Sequence, residues 1–331
     1  MAKTSFNGIS VSGIVNVLPS LKQDNLHLNL IKEQERAHFI EVTGIRYRHI
    51  FAADTKIVNL FKQGITSLMS NLNWNIADVD VLICVTQTTH TNVPAISCQL
   101  HGVLGMPSYT IAFDVNMGCS GYVYGLSVVY SLLNGFRKSG AKAILCCGDL
   151  SSQLIEPTDQ TTVPIFSDAV SVTGIECNNN DLQTSWFNLE TFGAGRNAIY
   201  VEQKNDASYM RLNGIDVFNY SLKTVPSHVQ ELLGFANRSN ADVYVFHQAN
   251  KIINDAIARK LAVANKDAPS TLYHFGNTAS ASIPVTLHHY LQSNKADGQL
   301  ALLCGFGVGF SVASALVVIP DYLTTETIYL P

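Results

Sequence analysis

Cys119 is the residue of this 331-residue sequence with the clearest potential for covalent chemistry. It belongs to the segment Gly-Cys-Ser-Gly at 118–121, between a short apolar stretch that predicts a strand and a stretch with apolar residues at helical spacing. The N–H groups at the start of a helix favour a thiolate over a thiol, and neighbouring glycines leave a sulfur atom accessible. Because a thiolate is a strong nucleophile that can accept and pass on acyl groups, this segment predicts covalent acyl transfer.

The chemical interpretation competes with a simpler one, since a cysteine is often just a small buried hydrophobic side chain. The seven cysteines are Cys84, Cys98, Cys119, Cys146, Cys147, Cys177 and Cys304. They show no paired spacing, which favours reduced thiols and a cytoplasmic protein. Cys146 and Cys147 are adjacent in an apolar run, so in a strand their side chains should point to opposite faces. The spacing therefore predicts no metal site.

Composition excludes several classes of protein. A hydrophobic content of 47% and a charged content of 14% indicate a globular chain with much buried sheet. The net charge of −4 and the lack of basic runs argue against nucleic acid as a partner. Residues 300–319 are apolar enough to raise the question of a membrane helix, but Gly305, Gly307 and Gly309 favour two buried strands joined by a glycine turn. We expect no membrane span and, from the polar N-terminus, no signal peptide.

The order of predicted elements indicates an α/β protein. Predicted strands cover residues 6–17, 79–86, 110–113, 143–149, 165–175 and 243–246. Predicted helices cover residues 22–41, 54–72 (capped by Asp54 or Thr55), 94–104, 121–135, 217–237, 251–261 and 280–292. This alternation favours parallel-type sheets covered by helices on both faces. The polar segment 178–193 predicts a surface connection and divides the chain into halves 1–177 and 178–331.

Two more segments carry candidate chemistry: Phe-His-Gln-Ala-Asn at 246–250, with His247, and Phe-Gly-Asn-Thr-Ala-Ser-Ala-Ser-Ile-Pro at 275–284, with Asn277. Taken singly, such a histidine or asparagine is usually structural. Together with 118–121 and the glycine-rich ending at 305–310, the sequence resembles the thiolase-fold condensing enzymes along essentially its whole length. The nearest resemblance is to the ketoacyl-acyl-carrier-protein synthase III family, which starts fatty-acid synthesis.

The resemblance implies a thiolase-like α/β fold of two similar halves of mixed sheets, layered with helices in the order αβαβα. The first half would carry the nucleophile and the second half the histidine and asparagine. It also implies a homodimer, an acyl carrier protein as partner, and coenzyme A or carrier-protein thioesters as substrates without a further cofactor.

The family's reaction is decarboxylative Claisen condensation. In it, Cys119 would hold an acyl primer as a thioester, while His247 and Asn277 would stabilise the enolate formed as a malonyl thioester loses carbon dioxide. The backbone N–H groups of Cys119 and Val308 would bind the oxyanion of the condensation step. Phe306 would shield the sulfur from water.

The entrance departs from the family pattern. His38 and Val42 occupy positions where acetyl-coenzyme A-using members carry a tryptophan and an arginine, Gln160 replaces another arginine, and Ile252 replaces a basic residue. The segment Ser-Asp-Ala-Val-Ser at 167–171 replaces a Gly-Asp-Gly-Ala-Gly type segment. Since arginine supplies stacking and forked hydrogen bonds, we expect coenzyme A to be held differently, or both acyl groups to arrive on a carrier.

Side chains near this entrance give two weaker expectations. The possible carrier-binding residues are Lys251, Arg259 and Lys260, although a solvated helix face explains them equally well. Val93 occupies the position of a bulky tunnel residue contributed across the dimer interface, so we expect room for longer or branched primers.

Two alternatives remain open on sequence alone. A thiolase-fold acyltransferase could pass the acyl group from Cys119 to an alcohol or amine without decarboxylation, but it has less need for both His247 and Asn277. A non-catalytic subunit of the same fold is the other alternative, and the intact set of three residues argues against it.

Overall fold

The computed structural model describes residues 2–91, 93–136, 138–178, 183–204, 207–294 and 298–331. Its strands are β1 (Ala2–Asn7), β2 (Ile9–Pro19), β3 (Lys22–Asp24), β4 (Tyr47–His49), β5 (Val79–Val85), β6 (Ile111–Val115), β7 (Lys142–Asp149), β8 (Ala169–Cys177), β9 (Thr184–Thr191), β10 (Ile199–Lys204), β11 (Ala207–Leu212), β12 (Val243–Phe246), β13 (Leu300–Gly307), β14 (Ser311–Val318) and β15 (Thr324–Leu330). Its α-helices are α1 (Glu33–Thr43), α2 (Ile57–Leu72), α3 (Ile96–Leu104), α4 (Gly121–Phe136), α5 (Gly214–Phe235), α6 (Lys251–Lys260), α7 (Leu272–Phe275) and α8 (Ser282–Leu291).

Two mixed sheets organise the molecule. A six-stranded sheet has the order β15-β2-β8-β7-β5-β6, and a five-stranded sheet has the order β1-β9-β14-β13-β12. Helices α4 and α8 lie in the core between the two sheets. Helices α2 and α3 cover the outer face of the first sheet, and α5 and α6 cover the outer face of the second. The five layers follow the order αβαβα, so the predicted thiolase-like architecture is confirmed.

Strand β7 shows how the sequence sorts its side chains between two cores. Ile144 and Cys146 face the outer core beneath α2, whereas Leu145 and Cys147 face the central core with α4. Successive side chains of a strand alternate between faces, as predicted for the two adjacent cysteines. A strand buried on both faces therefore appears in the sequence as a continuous apolar run.

The central helix α4 packs very closely against the six-stranded sheet. A Cβ atom at Gly121 would lie 2.4 Å from Val85, and one at Gly125 would lie 2.6 Å from Leu145. Glycine at these positions lets the helix approach the sheet directly. This contact fixes the helix start, and with it Cys119, above the end of β5.

The apolar ending forms the predicted pair of strands, since β13 and β14 are antiparallel and connected through a short turn at Val308–Phe310. In that turn Gly309 has φ +105°, a conformation that side-chain-bearing residues rarely adopt. Among the described residues, no helix is long and apolar enough to cross a membrane.

The first and last strands each belong to the sheet formed mainly by the other end of the chain. Strand β1 pairs with β9 in the five-stranded sheet, and β15 pairs with β2 in the six-stranded sheet. Each sheet thus contains one strand from the other end of the chain. The division into 1–177 and 178–331 stays a prediction.

Two predicted segments differ from the structure. Residues 184–191 form β9, an interior strand with Phe187 and Asn188 fully buried, so the prediction of a surface connection over 178–193 is wrong there. Polar residues made β9 look like a surface segment in the sequence. Its place inside the sheet comes from pairing with β1 and β14, which composition does not reveal. Residues 179–181 of the asparagine-rich cluster lie outside the described residues.

The helix predicted over 22–41 begins only at Glu33, because Lys22–Asp24 pairs with β4 as a strand. Helix α2 begins at Ile57 after Lys56, which makes no side-chain capping bond. The expected caps Asp54 and Thr55 therefore lie outside the helix. The strand predicted over 6–17 is divided at Gly8, which has φ +68°.

Candidate active site

Cys119 lies in the turn that leads into α4. Gly121 N donates to Gly118 O over 2.7 Å, and the Cys119 side chain is buried. Strand β13 passes directly beside it: a Cβ atom at Gly307 would lie 3.0 Å from Cys119 Cβ and 3.2 Å from Sγ. A Cβ atom at Gly305 would lie 2.7 Å from the Cys119 carbonyl oxygen. These two glycines allow the strand to contact the nucleophile turn.

His247 follows β12, which carries it into the same region. Its backbone N donates to Cys304 O over 2.8 Å, and its Nδ1 lies 2.7 Å from Ser282 Oγ. The Phe306 ring packs edge-on against the imidazole at a centroid distance of 5.5 Å. Burial lowers the pKa of His247 to about 3, with a hydrogen bond to the Ala279 backbone acting in the opposite direction. The imidazole is therefore neutral at physiological pH.

Backbone hydrogen bonds on both sides hold Asn277. Its N donates to Ile165 O over 3.0 Å, and its O accepts from Ser167 N over 2.9 Å. In the side chain, Oδ1 accepts from Ala279 N over 2.9 Å, while Nδ2 makes a longer contact of 3.4 Å to Ala249 O. Because the oxygen is occupied by a backbone N–H, the amide nitrogen is the group left to donate to a ligand.

Cys119, His247 and Asn277 line one pocket, which we call the Cys119 pocket; its cavity volume is about 50 Å³. Its further lining residues are Ile165, Phe166, Ile199, Leu212, Gly214, Val217, Ala249, Asn250, Ile253, Phe306 and Gly307. The walls are mainly apolar, with the thiol, imidazole and amide as convergent polar groups. In this single chain, such a pocket suits a small acyl group with one reactive carbonyl.

The resting protonation state of Cys119 differs from the expectation drawn from its place at a helix start. Burial raises the pKa of the Cys119 thiol to about 12, and the nearby charge of Asp149 adds to this, while its own backbone N–H acts in the opposite direction. Desolvation outweighs the helix start, so the side chain rests as a thiol. Nucleophilic attack therefore requires transfer of its proton.

The other predicted residues lie at varied distances from the pocket. Val308 contacts the nucleophile turn, since a Cβ atom at Gly118 would lie 2.8 Å from its side chain. Val93 is 83% exposed and does not line the Cys119 pocket of this single chain. Lys251, at the start of α6, pairs with Asp255.

Of the other two possible carrier-binding residues, both lie exposed in the last turn of α6. Lys260 donates to Leu222 O over 3.0 Å, and Arg259 precedes it. Across the described residues, no group of three or more His, Cys, Asp or Glu side chains is arranged to hold a metal ion.

Several residues of the site escaped the sequence analysis. Ser282, the partner of His247, lies within the quoted 275–284 segment, but no pattern distinguished it from the other small residues there. Asp149 ends the apolar strand β7. A single acidic residue after an apolar run was the only feature of the sequence that could have drawn attention to it. The hairpin β10–β11, which supplies Ile199 and Leu212 to the pocket, had no clear alternation in its sequence.

Comparison with known proteins identifies the family. The model described as 3-oxoacyl-[acyl-carrier-protein (ACP)] synthase III matches residues 113–195, and the model of its C-terminal region matches residues 236–319. A beta-ketoacyl-[acyl-carrier-protein] synthase III from Shewanella oneidensis is 31% identical over 93% of this chain and 98% of its own length. The chain belongs to the 3-oxoacyl-[acyl-carrier-protein] synthase III family. It is thus an acyltransferase.

Further relatives agree with this assignment. A putative 3-oxoacyl-[acyl-carrier-protein] synthase 3 from Campylobacter jejuni is 30% identical over 97% of both chains. The crystal structure of a 3-oxoacyl-(acyl-carrier protein) synthase from Burkholderia xenovorans superimposes with a TM-score of 0.91 at 28% identity, covering 98% of this chain and 99% of that one. A synthase III from Pseudomonas aeruginosa gives a TM-score of 0.86 at 26% identity, covering 98% and 100%.

Proposed function

We propose that this synthase III family member condenses an acyl group held on Cys119 with a malonyl thioester, releasing carbon dioxide and forming a 3-oxoacyl thioester. The observation that carries the proposal is the convergence of a thiol, a neutral imidazole and an amide N–H in one mainly apolar pocket. These three groups match the three needs of the reaction: a nucleophile and two hydrogen-bond donors for an enolate.

In the first half-reaction, Cys119 Sγ attacks the carbonyl carbon of an acyl thioester. A bond forms between sulfur and the acyl carbon, the original thioester bond breaks, and the departing thiolate takes up the proton lost by Cys119. His247 is the neutral base available in the pocket for this transfer. Its partner Ser282 can donate to Nδ1 or accept from it, so either neutral tautomer of the imidazole is accommodated.

In the second half-reaction, His247 Nε2–H and Asn277 Nδ2–H bind the thioester oxygen of the malonyl group. Loss of carbon dioxide leaves an electron pair that becomes an enolate on this oxygen. The carbanion attacks the acyl carbon, a carbon–carbon bond forms, and Cys119 leaves as a thiolate that regains a proton. Backbone N–H groups of Cys119 and Val308 bind the intermediate oxyanion.

The entrance supports delivery by a carrier protein over delivery by coenzyme A. Next to the Cys119 pocket lies a groove, here called the outer groove, lined by Glu156, Asp159, Asp216 and Arg211 among others. Arg211 already donates to Glu156 over 2.7 Å and to Glu202 over 2.9 Å. Hydrogen bonds from Arg211 and Lys204 hold the pKa of Glu156 below its ordinary value, so it remains charged.

A groove with three carboxylates and a committed arginine is unfavourable for the phosphates of coenzyme A. The uncharged part of a carrier's pantetheine arm avoids this repulsion. We therefore assign acyl carrier protein as partner, with Lys251, Arg259 and Lys260 on α6 as the docking residues for its acidic surface. To bind the carrier, Lys251 would have to leave Asp255, and Lys260 would have to leave the Leu222 carbonyl oxygen. We therefore expect Arg259 to bind the carrier most readily.

The test measures release of labelled carbon dioxide from malonyl thioesters, together with the mass of the intact protein after exposure to acyl-coenzyme A and acyl-carrier substrates. We expect carbon dioxide release that depends on acylated Cys119, and faster acylation from the carrier. Acyl transfer to an alcohol or amine without carbon dioxide release would establish the alternative activity. Faster acylation by micromolar acetyl-coenzyme A would contradict carrier delivery.

A homodimer is supported by one edge of the six-stranded sheet. Strand β6 lies at that edge and exposes Ile111 and Phe113, and Val103 and Tyr109 are exposed nearby in the sequence. An uncovered strand edge with apolar side chains is a surface for pairing with a second copy. We assign this edge as the dimer interface and Val93 as the residue that reaches the partner's pocket. We also assign the protein to the cytoplasm.

A further inference from the structure

Asp149, at the end of β7, is a buried carboxylate that accepts hydrogen bonds from two separate parts of the molecule. Its Oδ1 accepts from Gln87 N over 2.7 Å and from Thr86 Oγ1 over 3.3 Å. Its Oδ2 accepts from Ser280 Oγ over 2.6 Å and from Ser280 N over 3.3 Å. Burial raises the pKa of Asp149, whereas these N–H and O–H donors act in the opposite direction and favour the charged carboxylate.

The first pair of donors belongs to the loop beside the nucleophile. A Cβ atom at Gly118 would lie 2.7 Å from Gln87 Oε1, so Gln87 packs directly against the turn that carries Cys119. Asp149 holds the backbone of this loop in place. One oxygen of the carboxylate therefore supports the nucleophile side of the Cys119 pocket.

The second pair of donors belongs to the loop that follows Asn277. Here Ala279 has φ +47°, a left-handed conformation that is unfavourable for alanine. Ala279 N is the donor that fixes Asn277 Oδ1, and the Ala279 backbone also bonds His247. A strained residue thus sets the orientation of both proposed enolate-binding side chains, and its neighbour Ser280 is tied to Asp149.

We propose that Asp149 and Ser280 form a positioning pair that holds Ala279 in its left-handed conformation and so aims Asn277 and His247 at the thioester bound near Cys119. The pair joins residues far apart in the sequence, and neither residue lines the Cys119 pocket. This inference rests on the proposed condensation, because it assigns the pair to the decarboxylation step.

The same carboxylate acts on the sulfur through its charge. Asp149 disfavours the Cys119 thiolate, in addition to the larger effect of burial. Removing the charge should therefore make Cys119 ionise at lower pH. Removing the Ser280 hydroxyl leaves the charge of Asp149 in place, so it should not change the pH at which Cys119 ionises. The two variants separate the electrostatic effect from the positioning effect.

The experiment compares three variants with the parent: Ser280→Ala, Asp149→Asn, and a double variant that combines Ala279→Gly and Ser280→Ala. For Ser280→Ala we expect carbon dioxide release from malonyl thioester to fall about tenfold while acylation of Cys119 changes less than twofold. In the double variant, which carries Ala279→Gly as well, we expect carbon dioxide release to rise at least threefold above that of Ser280→Ala alone, because glycine adopts φ +47° without strain. Equal losses in both half-reactions, or no recovery with glycine, would overturn the positioning role.

For Asp149→Asn the readout is the pH profile of Cys119 alkylation by iodoacetamide, followed by peptide mass spectrometry with exposed Cys98 as internal reference. Because loss of this charge lowers the pKa of Cys119, we expect alkylation below the midpoint to become about tenfold faster. Asp168→Asn is the control, since Asp168 is another buried carboxylate, bonded to Phe51 N and Ser152. A Cys119 profile that stayed parental in Asp149→Asn, or moved equally in Asp168→Asn, would contradict the charge effect.

These readouts also separate this inference from the proposed function. A parental enzyme that is acylated on Cys119 but releases no carbon dioxide contradicts the condensation and, with it, the assignment of Ser280 to decarboxylation. The alkylation profile needs no acyl substrate and still decides whether Asp149 controls the sulfur.

Discussion

At the scale of single residues, the site combines a protonated thiol with a neutral imidazole. Both states follow from burial, which disfavours the thiolate of Cys119 and the imidazolium of His247. A neutral pair avoids a permanent buried charge, which would be costly before substrate arrives. In the proposed condensation, charge develops only during reaction, where the N–H donors of His247 and Asn277 would stabilise it.

Replacing the nucleophile tests this arrangement most directly. In Cys119→Ser, the alcohol is a weaker acid and a weaker nucleophile than the thiol, so His247 removes its proton less readily. We expect condensation to fall by at least about 1000-fold, as for other covalent nucleophiles. Intact-protein mass after incubation with acyl thioester should show no adduct, whereas Cys98→Ser should be acylated like the parent. Parental carbon–carbon bond formation by Cys119→Ser would eliminate covalent catalysis at this residue.

Removing an enolate donor should affect one half-reaction selectively. In Asn277→Ala the pocket loses the amide N–H, so we expect carbon dioxide release to fall about 100- to 1000-fold, the usual effect of removing one such donor. Acylation of Cys119, measured by mass, should remain within a few fold of the parent. Equal loss of both steps would show that Asn277 maintains the pocket and does not act on the malonyl group.

His247 also predicts a pH dependence of stability. Its pKa in the folded protein, about 3, lies below the ordinary value of about 6.5, so the unfolded chain binds the proton first as pH falls. Stability is therefore complete above pH 6.5 and declines below it, by about 2 kcal/mol at pH 5 for this one residue. Burial raises the pKa of Asp149 and Asp168, which contribute with the opposite sign.

Urea unfolding at pH 5 and pH 7.5 for the parent and His247→Asn isolates this contribution, because the carboxylates are common to both proteins. We expect the parent to lose about 2 kcal/mol more than the variant between these pH values. An identical pH dependence would mean that the buried imidazole gains its proton as readily as in the unfolded chain.

At the scale of elements, strand β13 is as important to the site as the segment around Cys119. Gly305→Ala places a Cβ atom 2.6 Å from Ser120 Cα, so the nucleophile turn must shift. We expect acylation of Cys119 to fall at least about tenfold and stability to fall by about 1–3 kcal/mol. Gly135→Ala is the matched control, because a Cβ there meets open space at the end of α4. If Gly305→Ala were acylated like this control, the close packing of β13 would be irrelevant to the nucleophile.

Elements were predictable from the sequence where their burial produces a regular pattern of apolar residues. Helix α2 has one buried face, and β7 is buried on both, so each follows a simple pattern. Strand β9 escaped because Asn188 and Ser185 are polar yet buried within a sheet. The site was predictable at Cys119, His247 and Asn277 through their motifs. Asp149 and Ser280 were not, since their importance depends on a contact between residues 131 positions apart.

At the scale of the whole molecule, the proposed dimer assigns one residue of each site, Val93, to the second copy. Val93 is 83% exposed and lies outside the Cys119 pocket of one chain, so in the proposed dimer its effect on primer choice passes through the partner subunit. In the proposed dimer, the exposed apolar edge at β6 is the surface assigned to that partner. Primer selectivity and oligomeric state are therefore linked properties in the proposed dimer.

This link can be tested by changing Val93 without changing the pocket of its own chain. In Val93→Phe, a larger side chain at the partner's tunnel should exclude longer and branched primers, lowering their acylation rates at least about tenfold, since overpacking of a closed pocket is costly. The shortest primer should be accepted as before. Leu21→Phe is the control, because Leu21 is also an exposed apolar residue, 57% accessible, and lies outside both the Cys119 pocket and the proposed dimer edge. Light scattering should show that both variants remain dimers. A dimeric Val93→Phe enzyme with the parental range of primers would remove Val93 from the tunnel and leave the pocket of each chain to select its primer alone.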